Sequence, residues 1–162
     1  MAWNVINLLG VDLAAFDTTT PIFALGTMCA ARNTTTGYIG EFVYMKGVAS
    51  TAVGSWVLLS YDDGTTSLLA DGDIGPVGVA MSANILATTY GWYQVRGKGS
   101  GILAASVGDN AGLYATAVIG TAGATASGKS EIIGARAAAA SGAGGATEVE
   151  LNYPVCGLSA GA

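Results

Sequence analysis

The sequence predicts an all-β fold: an antiparallel β-sandwich or small β-barrel, built from a diverged internal duplication, with an extended N-terminal arm. Three observations carry this. Apolar and polar residues alternate with a period of two in several short stretches, the pattern of strands. Turn residues separate those stretches at short intervals. One alternating stretch also recurs. Gly91, Tyr93, Val95 and Gly97 point one way, and Trp92, Gln94 and Arg96 the other. Fifty positions earlier, Phe42 stands where Trp92 does, Lys46 where Arg96 does and Gly47 where Gly97 does. A third copy alternates Glu148, Glu150 and Asn152 with Val149, Leu151 and Tyr153. After each of the first two comes a similar block. Gly54-Ser55-Trp56-Val57-Leu58 leads to Ile74–Val79, and Ala111-Gly112-Leu113-Tyr114-Ala115 leads to Ile132–Ala135. The pattern is a repeated three-strand unit closed by a last strand.

Residues 1–21 differ from the remainder and are assigned to an N-terminal arm, with 22–162 forming one β-domain. Trp3, Val5, Ile6, Leu8, Leu9, Val11, Leu13 and Phe16 follow no clean period, and Asp17–Pro21 punctuates their end. Two readings stand side by side. The segment is an edge strand or short helix packed on its own core, or it is an apolar arm that lies on another subunit.

Along the domain, Pro21–Ala30 and Tyr38–Lys46 are expected to form a hairpin around Asn33–Gly37. Trp56–Ser60 and Thr66–Ala70 flank Tyr61-Asp62-Asp63-Gly64, whose Asp-Gly tolerates positive φ. Val77–Met81 and Gly91–Lys98 follow. Gly99-Ser100-Gly101 is expected to break the chain before a short strand at Ile102–Leu103. Leu113–Ala117 comes next, then a small-residue loop over Gly120–Gly128. Glu131–Ala140 has alanines that favour helix, but its place in the repeat makes it a strand. Thr147–Tyr153 is the last strand, and the Gly/Ala-rich tail after Pro154 is expected to be loose.

Composition narrows the function. Charged residues make up 10% of the chain, against a usual quarter. A surface so poor in charge commonly meets another protein. With six basic residues and a net charge of −5, no clustered positive face for nucleic acid is expected. No uninterrupted apolar run reaches membrane-spanning length. The opening residues lack the positive region of a secretory signal. Cys29 and Cys156 are therefore expected to be buried free thiols rather than a pair.

Catalytic readings fail on residue type and context. The chain has no histidine, which removes the Ser-His-Asp triad and most zinc sites. Gly123-Ala124-Thr125-Ala126-Ser127-Gly128-Lys129-Ser130 fits the phosphate-loop pattern letter by letter, but such a loop needs a strand before it, a helix after it and a parallel sheet. None of these is expected. Asp62, Asp63, Asp71 and Asp73 supply carboxylates of the kind calcium takes, yet turn chemistry alone accounts for them. Trp56, Trp92, Tyr93 and Tyr114 are expected to be packing residues. No enzyme activity, cofactor or metal is expected.

Three stretches together resemble the capsid decoration (cement, head-stabilising) proteins of tailed bacteriophages. The opening is Phe23-Ala24-Leu25-Gly26-Thr27 with Gly40-Glu41-Phe42-Val43-Tyr44-Met45. The middle is Ile74–Ala80 with Gly91–Gly97. The end is Ala111–Ala115, Ile133-Gly134 and Val149–Pro154. The likeness spans roughly residues 22–155 and rests on spaced apolar and Gly positions. It implies a structural virion protein on the outer capsid surface, a homotrimer that bridges neighbouring major capsid subunits. On that reading Trp3, Val5, Ile6, Leu8 and Leu9 form the capsid-binding arm, and removing residues 1–16 abolishes docking while the domain stays folded. The alternative is a head-fibre base or host-surface-binding module.

Overall fold

The stretch around Tyr93 is the first half of the longest strand. The computed structural model describes residues 2–8, 10–15, 20–82 and 89–157, and among them it contains no helix. The strands are β1 (Trp3–Val5), β2 (Met28–Asn33), β3 (Ile39–Lys46), β4 (Trp56–Ser60), β5 (Thr65–Leu68), β6 (Gly75–Ala80), β7 (Tyr90–Leu103), β8 (Gly112–Ala115), β9 (Ala122–Gly123), β10 (Glu131–Ala137) and β11 (Gly145–Gly157). All join one mixed sheet.

The internal duplication is explicit in the strand pairing. β3 pairs antiparallel with β7 and parallel with β5, β5 and β6 both flank β4, and β6 returns to β7. β7 in turn pairs antiparallel with β11 and parallel with β9, β9 and β10 both flank β8, and β10 returns to β11. Each set closes a five-strand circuit, and β7 belongs to both. The repeated unit therefore has the three expected strands plus a short fourth, β5 or β9. The register differs from the sequence match. Lys46 and Leu103 occupy equivalent places, 57 positions apart, as do Thr65 and Ala122. The fifty-residue match instead aligned two strands that pair with each other, Val43 opposite Tyr93 and Tyr44 opposite Trp92.

Four boundaries depart from expectation. Residues 21–27 are turns rather than strand, because Gly26 takes φ +83° and Thr27 Oγ1 donates to Ala24 O at 2.6 Å. β7 runs unbroken through Gly97–Gly101, since those glycines admit neighbours that a side chain would exclude: a Cβ at Gly101 would stand 3.0 Å from the Trp56 indole. Gly120–Gly128 contains the short strand β9. The chain after Pro154 continues as strand to Gly157, paired to β10 and β6.

The strands around Trp92 are buried on both faces, not one. Val43, Met45, Val57, Leu59, Tyr93 and Val95 fill the first circuit. Trp56, Val79, Leu103, Leu113, Ile132 and Val149 belong to a second cluster. On the opposite face of β3 and β7, Phe42, Tyr44 and Trp92 form a third cluster with Cys29, Ala31 and Leu13. Residues of the N-terminal segment cover that third cluster, which is why the alternation there joins apolar to apolar.

Candidate interaction surface

The described residues of the arm lie on their own domain. β1 pairs with β2, Trp3 opposite Asn33 and Val5 opposite Ala31. The Trp3 ring meets Phe42 edge-on at 5.1 Å, and Val5 and Leu8 pack on the same cluster. Asn7 Oδ1 accepts the Ala30 N–H at 2.8 Å beyond the end of β1. Of the five residues expected to bind a partner, Trp3, Val5 and Leu8 are half-buried here. Ile6 is 54% exposed, and Leu9 lies outside the described residues.

A different apolar surface arises where β10, β11 and β6 meet. Alternation sends Ile132, Cys156 and Val77 inward. Their neighbours Ile133, Val155 and Pro76 are exposed. Ile133 stands opposite Val155, and Val155 opposite Pro76. Directly paired residues project from the same face, so the three form one apolar row across three strands.

Beside this row β11 bulges. Between the pairs Ile133–Val155 and Ala135–Leu151, the single residue Gly134 faces Asn152, Tyr153 and Pro154. Gly134 takes φ +84°, and a Cβ there would stand 2.8 Å from Asn152 O. Tyr153 takes φ +48°, a left-handed conformation that costs a bulky residue energy. The bulge throws its ring outward, half exposed, and its hydroxyl donates to Glu41 Oε2. Glu41 Oε1 accepts from Arg96 Nη1 at 2.6 Å. The Tyr153 and Arg96 hydrogen bonds hold the Glu41 carboxyl below its ordinary range. The Tyr153 phenol is pushed up, first by its bond to Glu41 and then by desolvation.

Two charge pairs flank this row, while Glu131, exposed two residues from Ile133 on the same face of β10, carries no ion pair among the described residues. Lys98 meets Glu148 at 2.8 Å and Arg136 meets Glu150 at 2.5 Å. Two shallow grooves share Glu150 and Leu151. One, of about 390 Å³, runs past Tyr38, Ile39, Gly97 and Lys98; the other, of about 290 Å³, past Gly134, Ala135, Arg136 and Asn152.

The remaining candidates resolve into local structure. Gly123–Ser130 leaves β9 and enters β10, a strand where a phosphate loop needs a helix. Lys129 Nζ is held by Asp71 at 2.6 Å, and Ser130 Oγ accepts the Gly72 N–H at 3.1 Å. The bonds from Lys129 and then Ser130 hold the Asp71 carboxyl low. Asp63 accepts from Thr65 N–H and hydroxyl, and Asp73 accepts the Ala70 N–H, so both are turn residues. Among the described residues, no group of three or more His, Cys, Asp or Glu could hold a metal ion. Cys29 and Cys156 are free thiols in separate clusters. Trp56, Trp92 and Tyr93 are fully buried packing residues.

The sequence alternation put Tyr153 on the same side as the buried Val149 and Leu151, where the structure exposes it, and it did not mark Ile133 or Val155 as surface residues. Ile132-Ile133 and Val155-Cys156 are apolar doublets, so the alternation does not say which member faces out. Only the bulge opposite Gly134 decides it. No family model matches the chain, and no curated protein matches it.

Proposed function

We propose that the protein is a capsid decoration protein: a structural virion component that binds the outer surface of an icosahedral phage head and bridges neighbouring major capsid subunits. The observation that carries this reading is the outward sheet face, with an exposed apolar row beside basic side chains that are already paired with carboxylates. A face of that kind suits a large, shape-matched protein surface better than nucleic acid, which needs unpaired positive charge. The spaced apolar and glycine pattern from Phe23 to Pro154 adds the resemblance to the decoration proteins. Many copies on one shell multiply weak contacts into a large total stabilisation, so a single site need not be extensive.

The test is co-sedimentation of the purified protein with expanded heads that lack it. Saturable binding at a fixed ratio to the major capsid protein, with heads then surviving harsher heating, is the expected result. Absence of binding overturns the reading and moves attention to host-surface binding. The bound ratio also tests the expected homotrimer.

A further inference from the structure

We infer that the row Ile133–Val155–Pro76, with Tyr153 beside it, is the face that meets the shell, and that its partner surface is apolar rather than acidic. This rests on the decoration reading and names the docking residues within it.

Four observations converge. The row is continuous across β10, β11 and β6, with Ile133 60% and Val155 44% exposed. Tyr153 is held outward on a two-residue bulge in a left-handed conformation, a strained arrangement of the kind that collects at functional sites. Its hydroxyl is already engaged by Glu41, so the ring can be covered without stranding a polar group. Finally, Arg96, Lys98 and Arg136 are each paired with a carboxylate. An acidic partner would have to break one of those pairs to find a cation; an apolar one would not.

The size of the patch decides between a second copy and a repeated shell surface. The three exposed row residues and the half-exposed Tyr153 ring together present on the order of 300 Å², well short of the roughly 800 Å² per partner that a stable two-protein contact buries. An isolated dimer through this face would be weak. A surface presented many times on a shell, where neighbouring contacts act together, compensates for small area.

The experiment compares full-length variants in the head co-sedimentation assay, with melting temperature and solution mass measured alongside. Val155→Glu and Ile133→Glu place a charge on the row; Tyr153→Ala removes the ring; Ile6→Glu is the control on the arm. The expected result is at least tenfold weaker binding for the row and ring variants, in line with loss of an interface anchor. Solution mass should be unchanged; melting temperature should be unchanged for the row variants and lower for Tyr153→Ala, which loses its bond to Glu41; and Ile6→Glu should bind like the wild type. If Val155→Glu or Ile133→Glu lowers melting, Val155→Ser and Ile133→Ser replace them, and the same loss is expected. Wild-type binding with undiminished binding by the folded variants overturns this inference and leaves the decoration reading standing. Loss confined to Ile6→Glu overturns it in favour of the arm. A change of solution mass with unchanged binding assigns the face to contacts between copies and overturns it too. Failure of the wild-type protein to bind overturns both.

Discussion

Gly97 and Ile39 approach so closely that a Cβ on Gly97 would stand 2.5 Å from the Ile39 carbonyl oxygen. Gly97 also takes φ +93°. Both facts follow from the register slip between Glu41 and Phe42, where β3 and β7 lose step. Gly97→Ala is therefore expected to cost about 2–4 kcal/mol, combining left-handed strain with a backbone clash that no rotamer relieves. Urea denaturation measures it, and a loss below about 0.5 kcal/mol, within the ordinary surface range, would contradict the close approach.

Gly99 makes a contrasting case. A Cβ there would collide with Gln94 Oε1, the end of a side chain that is fully buried. Gln94 Nε2 donates to Arg96 O at 3.0 Å and Lys98 O at 3.3 Å, on either side of Gly97 in β7. Moving the amide to admit Gly99→Ala breaks those bonds, at about 1–3 kcal/mol. Because the obstacle is a side chain, a Gln94→Ala background should absorb most of the Gly99→Ala cost and little of the Gly97→Ala cost. A double-mutant cycle in denaturant reads the coupling; equal costs in both backgrounds would refute it.

These glycines also mark where the sequence was legible and where it was not. Alternation found β3, β4 and the first half of β7 because Phe42, Trp56 and Tyr93 recur at strand period. It missed the second half of β7, since Gly97, Gly99 and Gly101 read as punctuation. In the fold they are closely packed residues that admit Ile39, Gln94 and Trp56. The duplication was visible, but its register was not. Strong aromatic similarity linked β3 to β7 as neighbours, while the equivalent strand half, Arg96–Leu103, kept little of that pattern. Tyr153 was hidden for another reason: its outward position depends on the geometry opposite Gly134, which no local period encodes.

Acid should weaken the Glu41 cluster in a definite direction. The bonds from Tyr153 and Arg96 hold its carboxyl below the ordinary value of 4.5. A depressed folded-state value means the stabilisation is present above pH 4.5 and is lost as pH falls through the lower folded value. Glu41→Gln is expected to flatten the fall in melting temperature below pH 4.5. Tyr153→Phe, which removes the largest contributor, should shift the fall to higher pH. Parallel melting curves for wild type and Glu41→Gln between pH 5 and 3 (about the carboxylate range) would contradict this.

The thiols respond at the opposite end of the scale. Burial pushes Cys29 up to about 12 and Cys156 up to about 11. A raised folded-state value keeps both as neutral thiols, so their contribution is full below the ordinary value of 9.0 and fades as pH rises past it. Since the thiolate is the reactive form, alkylation at pH 8 should label neither cysteine in the folded protein and both in denaturant. Mass spectrometry counts the labels. Rapid labelling of one in the native state would place that residue in an open environment.

The Gly123–Ser130 segment should ignore nucleotide. Its lysine is tied to Asp71 and its serine to Gly72, so neither is presented to a phosphate. Magnesium-ATP at millimolar concentration is expected to leave the melting temperature unchanged, and Lys129→Ala to shift it only slightly, as partly exposed pairs contribute little. A nucleotide-dependent rise abolished by Lys129→Ala would restore the phosphate-loop reading.

Removal of the arm should be felt by the domain before any partner is involved. Trp3, Val5, Leu8 and Leu13 pack on Phe42, Tyr44, Trp92 and Cys29, and β1 supplies an edge strand to β2. Cutting the chain at residue 16 would expose aromatic surface that is now fully buried, so the truncated protein is expected to melt well below the wild type and to aggregate. Trp3→Ala isolates the effect. The ring is half-buried against Phe42 at 5.1 Å, and its loss should cost about 2 kcal/mol, below the range for a fully buried Trp, or roughly 4–8 °C in melting temperature for a chain of this size. A truncation that melts like the full chain would show that the sheet face of Phe42 and Trp92 tolerates water. The arm could then leave its own domain for a partner. Marked destabilisation would instead make any binding defect of the truncation uninformative, leaving the exposed Ile6 as the arm position where binding can be tested without disturbing the fold.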